Sequence, residues 1–246
     1  MPSEIQQAMD DPNFVVQFAV GDPMPNLIPQ NPNNSMRLSG IYYNQPKRYI
    51  FKKAHVSFDD NRIFDCDTGT VVMVSHHPGK NPYESFDPLG ITNQDDYYKL
   101  YGVEWKSLCT ITGYHGFPHE IKIRPKSISR HGRQYVMHGN DTIMTIGKLS
   151  KLKTKSFRPH FGVCLGKGGD KKVIYKCVAD MMGRTVSILN EREELVAQMA
   201  KSTKALIQMA TFGSGTESTI DIAPGVDCSV ILAIVYGIGQ IGKHCK

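Results

Sequence analysis

The sequence predicts a mainly β fold, either a sandwich or a closed barrel, built from about a dozen short strands. Two observations carry this prediction. Short segments rich in β-branched and aromatic residues recur along the chain, and most are bounded by Gly, Asp or Asn. In addition, a charge-free apolar run near the C-terminus departs from the strand pattern and has the composition of a buried helix.

Thirteen segments fit the pattern of a short strand, and most have five to seven residues. Within one of them Ile121, Lys122, Ile123 and Arg124 alternate between apolar and basic, as expected for a half-buried strand. The thirteen are Tyr49–Phe58, Arg62–Asp65, Thr70–Ser75, Leu108–Thr112, Glu120–Arg124, Gln134–His138, Thr142–Lys148, Phe161–Leu165, Lys172–Val178, Arg184–Leu189, Leu195–Met199, Leu206–Thr211 and Ser218–Ile222.

A weak internal repeat links two of the predicted hairpins. Residues 63–65 (IFD), four residues and 70–74 (TVVMV) correspond to 188–190 (ILN), four residues and 195–199 (LVAQM). Each unit predicts a hairpin whose turn begins with Asp or Asn. Two similar halves would suit a closed barrel, although unrelated hairpins also resemble one another by chance.

The apolar run covers residues 228–242 and is shorter than the ~20 residues that a membrane span needs. We expect Pro224 in the first turn of its helix, with Asp221 as the cap and Asp227 favourable to the helix dipole. The helix is apolar on every side through Tyr236, so it must be buried all round. A helix threaded through a barrel would achieve this; a dimerisation or membrane-inserted tail is the alternative. The glycines expected to end it are Gly237, Gly239 and Gly242.

The 246 residues allow one large domain or two small ones, and composition separates an N-terminal zone. Residues 1–46 hold seven of the fourteen prolines, and Pro23–Ser35 can hold neither a helix nor a central strand. We therefore predict an extended or flexible arm over 1–46 and a barrel domain over 47–246, with a loop insertion at 77–107. The acidic N-terminus predicts no signal peptide, and six scattered cysteines without a CxxC pair predict no disulfide scaffold. A reducing, cytoplasmic location is the expectation.

Positive charge is concentrated in the middle of the chain. Residues 122–176 carry 14 Lys or Arg and two Asp, which gives +12 against +6 for the whole chain. Such a block indicates an anionic partner, or else a set of solvated strand faces. The candidate anion-binding residues are Lys122, Arg124, Lys126, Arg130, Arg133, Lys148, Lys151, Lys153, Lys155, Arg158, Lys171 and Lys172. Five basic residues near an anionic membrane would contribute ~5 kcal/mol, which corresponds only to sub-millimolar affinity.

The motifs that suggest catalysis or cofactor binding lack the spacing or the sequence context that these functions require. Residues 237–242 match GxGxxG, but no second strand or acidic residue follows in the available sequence. Residues 166–170 (GKGGD) lack the phosphate-loop spacing and predict a hairpin turn instead. The histidines form no HExxH motif, and no nucleophile motif occurs. The acidic cluster Asp59, Asp60, Asp65 and Asp67 fits turn positions better than a calcium loop. We expect no enzyme activity, cofactor or metal.

The C-terminal half resembles the LURP-one-related family, which belongs with the phospholipid scramblases to the tubby C-terminal-like superfamily. The resemblance rests on the hairpin Arg184–Met199 and, most specifically, on residues 222–227 (IAPGVD) running into the apolar helix. The hairpin Arg62–Val74, with Asp65 and Gly69, resembles the family's first unit. The resemblance covers roughly residues 47–243, with the arm and the insertion outside it.

The resemblance implies a twelve-stranded barrel around a hydrophobic C-terminal helix and no known active site. Tubby-like members bind phosphoinositides through basic side chains, but no tubby lipid-site motif is present to carry over. The sequence also lacks the cysteine-rich cluster, the acidic calcium segment and the long span of the scramblases. We therefore expect a non-enzymatic domain that docks on anionic membranes or phosphoinositides through the basic block, peripherally at a membrane. The alternatives are a protein-interaction or regulatory scaffold, with the arm as a docking segment, and a nucleic-acid-associated factor.

Overall fold

The structure is a computed structural model that describes residues 22–53, 61–76, 109–126, 132–150, 154, 156, 158–167, 172–180, 184–201 and 217–244. Twelve strands and one α-helix lie in this part of the chain, with a 3-10 turn at Pro32–Asn34. The strands are β1 Lys47–Lys53, β2 Asn61–Asp65, β3 Val71–His76, β4 Cys109–Gly113, β5 Ile121–Pro125, β6 Gln134–His138, β7 Asp141–Lys148, β8 His160–Leu165, β9 Val173–Ala179, β10 Thr185–Leu189, β11 Leu195–Lys201 and β12 Glu217–Ile222. The helix, α1, is Cys228–His244.

The strands close into a single antiparallel barrel. Each strand pairs with its neighbours in chain order, and β1 completes the circle by pairing with β12, with Arg48 opposite Asp221. The barrel rather than the sandwich is therefore confirmed. Twelve of the thirteen predicted strands are present, and the predicted bounds of Gln134–His138 coincide with β6. The thirteenth segment, Leu206–Thr211, lies outside the described residues.

The helix lies inside the barrel. The five consecutive residues from Val230 to Ile234 are all fully buried, and they share one core with inward-facing strand residues such as Ile123, Val136 and Ile146. A helix that is apolar all round thus finds apolar partners all round. The expectation of a helix threaded through a barrel is confirmed.

The predicted C-terminal limit of the helix is wrong, because the helix continues through its glycines to His244. Gly237 packs so closely on the barrel wall that an added Cβ would overlap Ile146. At this position glycine permits a close approach of helix and strand rather than a stop. Gly239, by contrast, has nothing within 4 Å of the place where a Cβ would be.

The predicted start of the helix is also wrong in two residues. Asp221 lies in β12 and does not cap; its carboxylate accepts a hydrogen bond of 2.6 Å from Arg48 Nε. Pro224 lies in the turn that precedes the helix. The cap is Asp227, whose Oδ1 accepts from the backbone N–H of Ser229 at 3.0 Å. Four residues separate the end of β12 from Asp227, and composition alone did not show which carboxylate would lie at the helix start.

The two hairpins of the internal repeat share one geometry. The β2–β3 register shifts between Ile63 and Phe64, and the β10–β11 register shifts between Ile188 and Leu189, at corresponding positions of the repeat. In each turn a side-chain oxygen just after the bulge accepts a hydrogen bond from the backbone N–H two residues later. Asp65 accepts from residue 67, and Asn190 accepts from residue 192. The repeat therefore describes two hairpins built alike, with an Asx turn after a bulge.

Residues 22–46 form neither helix nor strand apart from the 3-10 turn, and they pack on the barrel end where α1 begins. Leu27 is buried, and Ile28 N–H donates to the Leu195 carbonyl at 2.9 Å. Gln30 N–H donates to the Pro224 carbonyl at 2.8 Å. We call this the covered end of the barrel. The division of the chain into an arm over 1–46 and a domain over 47–246 stays a prediction.

Asp227 is the centre of this packing. Its fully buried carboxylate accepts backbone hydrogen bonds from Leu38 at 2.7 Å, Ser39 at 3.1 Å and Gly40 at 2.8 Å. Two residues earlier, Gly225 has φ +73° and leaves no room for a Cβ beside the Gln30 carbonyl. The Pro-Gly-Val-Asp sequence thus joins the N-terminal segment to the start of the helix.

Candidate functional site

The strand registers bring one part of the basic block to the barrel end opposite the covered end. Lys126 follows β5, and its backbone N–H donates to the Arg133 carbonyl at the start of β6. Lys148 ends β7 opposite Phe161, near the start of β8. Arg158 lies two residues before β8 begins. We call the surface formed by Lys126, Arg133, Lys148 and Arg158 the basic end.

Local packing positions one of these side chains, Arg133. Arg133 lies across Gly147, where an added Cβ would come within 2.8 Å of Arg133 Cγ. Glycine at this strand position therefore leaves space for the stem of the arginine. Burial lowers the pKa of His160, and the positive charges of Lys176 and Arg158 lower it further. Two cationic groups thus lie near the first residue of β8, and one of them, Lys176, is paired with Glu193 at 3.1 Å.

The basic end differs from the rest of the block in charge pairing. Lys148 and Arg158 are exposed, Lys126 is half-buried, and none of the three forms an ion pair within the described part of the chain. Uncompensated cations on one face produce a positive potential that attracts anions.

Three other candidates already have partners within the described residues. Lys122 Nζ lies 2.8 Å from Glu120, and Lys172 Nζ lies 2.7 Å from Glu191, both near the covered end. The Arg124 guanidinium donates to the Cys109 and Ile123 carbonyls at 2.9 Å each. The remaining candidates lie outside the described residues: Arg130, Lys151, Lys153, Lys155 and Lys171.

A cleft of about 610 Å³ opens at the covered end, and sequence reasoning missed it. One wall is the segment Gln30–Met36, and the other is the β10–β11 turn with Asn190 and Arg192. Ile174 and Tyr175 of β9 line it between them, and Leu165 stands at its edge. The two walls come from residues about 160 positions apart in the sequence, so no local sequence pattern predicts the cleft.

Two kinds of catalytic feature were sought among the described residues, a metal centre and a reactive thiol. They contain no group of three or more His, Cys, Asp or Glu side chains placed to hold a metal ion. Burial raises the pKa of Cys177 to about 12, so this thiol is a poor nucleophile at neutral pH. Among the helices that the structure describes, none has both the length and the apolarity that crossing a membrane requires.

Comparison with known proteins places the chain in a family. The LURP-one-related family pattern matches residues 83–238, which is more than half of the chain. The chain belongs to the LURP-one-related family. The match begins within the 77–107 segment that the sequence analysis set outside the resemblance.

A solved structure is also similar. The X-ray structure of an Arabidopsis thaliana protein matches over 82% of this chain and 94% of its own, with 15% sequence identity and a TM-score of 0.47. No curated protein matches this chain in sequence. The family and the barrel fit a non-enzymatic domain.

Proposed function

We propose that this chain is a non-catalytic barrel domain that docks on membranes containing anionic phospholipid through its basic end. The observation that supports this proposal most directly is the grouping of Lys126, Lys148 and Arg158 at one barrel end without acidic partners among the described residues. A rigid barrel presents such a group on one face, so that several cations meet a charged surface together.

The binding energy per basic residue indicates how many cations are needed for firm membrane binding. Each basic residue near an anionic surface contributes about 1 kcal/mol, so the four residues of the basic end give roughly 4 kcal/mol and millimolar affinity. Arg130 falls between β5 and β6 in the sequence, and Lys151, Lys153 and Lys155 fall between β7 and β8. With these four the sum is roughly 8 kcal/mol, which corresponds to micromolar affinity. Such binding would suit a peripheral protein at the anionic cytoplasmic leaflet.

Liposome flotation tests the proposal. The purified chain is floated with neutral phosphatidylcholine vesicles, with phosphatidylserine vesicles and with vesicles containing phosphatidylinositol bisphosphate, at low and physiological salt. We expect flotation with both anionic membranes and none with the neutral one. Binding to the bisphosphate that survives physiological salt would indicate a defined headgroup site, whereas binding lost as salt rises would indicate diffuse attraction.

A pair of variants matched in charge locates the surface. Lys148→Glu with Arg158→Glu reverses two unpaired charges at the basic end, and should lower the bound fraction at least tenfold. Lys122→Glu with Lys172→Glu reverses two paired charges near the other end, and should leave it nearly unchanged. Equal binding by both double variants, or no binding of the wild-type chain to any anionic vesicle, would refute the proposal.

A further inference from the structure

We propose that the cleft at the covered end binds an extended, near-neutral peptide segment of a partner protein, with an apolar side chain against Leu165. This inference is independent of membrane docking, which uses the opposite end of the barrel. The volume of the cleft, about 610 Å³, is within the range typical of ligand sites. The argument rests on what the cleft offers and on which ligands it excludes.

The cleft walls are held by a polar network that needs no ligand. Gln30 Nε2 donates to Glu194 at 3.1 Å, and Asn190 Nδ2 donates to Gln30 Oε1 at 2.9 Å and to Glu194 at 2.7 Å. Arg192 Nε donates to the same glutamate at 3.1 Å. These hydrogen bonds lower the pKa of Glu194, that from Asn190 most and that from Gln30 next. The cleft is therefore preformed, which reduces the ordering cost of binding.

The charges around the cleft are already paired. Lys172 lies 2.7 Å from Glu191, and Arg192 lies 2.9 Å from Glu194. A phosphate or polyanion would have to displace a carboxylate and would be repelled by it. With no metal-holding group among the described residues, an ion as ligand is also disfavoured. The charge balance favours a ligand of little net charge.

The remaining surface suits a polypeptide. Leu165 is 58% exposed, the largest exposure of any large apolar side chain in the described part of the chain, and Ile174 and Met36 lie with it in the cleft. On the Gln30–Met36 wall, the Asn31 and Asn33 side chains accept hydrogen bonds through their oxygens, and their NH₂ groups donate to no partner within the described part of the chain. Asn34 makes no side-chain hydrogen bond among the described residues.

Amide donors beside an apolar patch match main-chain carbonyls beside an apolar side chain. A sugar would ordinarily stack on an exposed aromatic ring, but Tyr175, which lines the cleft, is only 6% exposed. Because the described strands close on themselves, the barrel has no free edge to which a peptide could add as a strand. Recognition would therefore pass through side-chain amides and the Leu165 patch.

Selection from a phage-displayed library of random heptapeptides against the full chain tests this inference. We expect enriched sequences with a fixed apolar position and low net charge. A synthetic peptide of the enriched sequence, measured by fluorescence anisotropy, should bind Leu165→Glu at least tenfold more weakly than the wild type. Asn34→Ala should also weaken binding. Leu165→Ala, which introduces no charge, guards against misfolding of the glutamate variant and should show a smaller loss.

Met24→Glu is the matched control, because Met24 is another exposed apolar residue, 41% accessible, that does not line the cleft. Its peptide affinity should equal that of the wild type. The inference is overturned if no sequence is enriched, if the peptide binds Leu165→Glu as well as wild type, or if the enriched peptides are acidic and lose affinity with Lys148→Glu. Vesicle flotation of Leu165→Glu should be unchanged, so the two proposals fail separately.

Discussion

The covered end and the four-residue surface of the basic end differ in how their cations are paired. The barrel end that carries this surface also holds the ion pairs Lys52–Glu217 and Arg184–Asp180, so the contrast is between two surfaces. At the covered end, cations meet carboxylates inside the molecule: Arg48 with Asp221 at 2.6 Å, and Lys47 with Asp65 at 2.8 Å. At the basic end, Lys148 and Arg158 meet no carboxylate within the described residues. Internally compensated charge fixes a structure, whereas uncompensated charge remains available to an external partner. The comparison indicates that ion pairs of the covered end stabilise the fold, and it supports the proposal that the basic end serves recognition.

The largest expected effect comes from removing the centre of the covered end. Asp227→Ala removes a fully buried carboxylate and leaves the backbone N–H groups of residues 38–40 without their acceptor, so we expect a loss of about 4 kcal/mol in the free energy of unfolding. Urea denaturation monitored by circular dichroism measures it. Asp227→Asn keeps one acceptor oxygen, so its free energy of unfolding should fall between those of the wild type and the alanine variant. A loss below about 1 kcal/mol for the alanine variant would break the comparison.

Gly225→Ala should cost about 3 kcal/mol, because it combines a left-handed backbone with overlap of the Gln30 carbonyl. Gly139→Ala is the control: Gly139 has φ +59°, but nothing lies within 4 Å of its added Cβ. It should show only the backbone cost of about 1 kcal/mol. Similar urea midpoints for the two variants would show that the contact with residue 30 contributes little.

Alkaline pH should weaken the covered end through Cys228. Burial raises the pKa of this thiol to about 12. Below about pH 8.5 both states hold the proton; above it, the unfolded chain releases the proton while the folded chain retains it. The free energy of unfolding should therefore fall by roughly 1 kcal/mol per pH unit for this group. Denaturation at pH 8, 9 and 10 should show a shallower decline for Cys228→Ala; parallel curves would contradict this.

The smallest expected effect is a gain in stability, from a substitution in the last turns of α1. Gly239→Ala adds a methyl group where nothing lies within 4 Å, and should stabilise the helix by about 0.5–1 kcal/mol. Gly237→Ala should destabilise, because its Cβ would overlap Ile146. Thermal unfolding of the two variants distinguishes them, and a loss for both would mean that the helix does not continue as described.

The sequence predicted the individual strands well because strand patterning is local. Alternation within residues 121–124 and the bounds of Gln134–His138 needed no long-range information. The role of Asp227 could not be read in the same way, since its partners Leu38 and Gly40 lie nearly 190 positions away. Composition suggested only an extended arm, not the amides that it offers to a distant carboxylate.

The sequence predicted the excess of positive charge but not which basic residues share one surface. The excess of +12 is visible in residues 122–176, but pairing of Lys172 with Glu191 depends on which hairpins lie side by side. The glycines of α1 show the same limit. A glycine that ends a helix and one that admits a neighbouring side chain look alike in sequence, and only the contact between Gly237 and Ile146 separates them.

The pairing of β1 with β12 has a consequence for how the chain is made. Arg48 and Asp221 are separated by 173 positions, so the first strand waits for the last before the circle can close. At a synthesis rate of about 5–20 residues per second, that delay is roughly 10–35 s. Throughout it, the free edge of β1 and the unfilled interior face the surrounding solution. We therefore expect the nascent chain to depend on chaperones until residues 217–244 have emerged from the ribosome and the helix can enter the barrel.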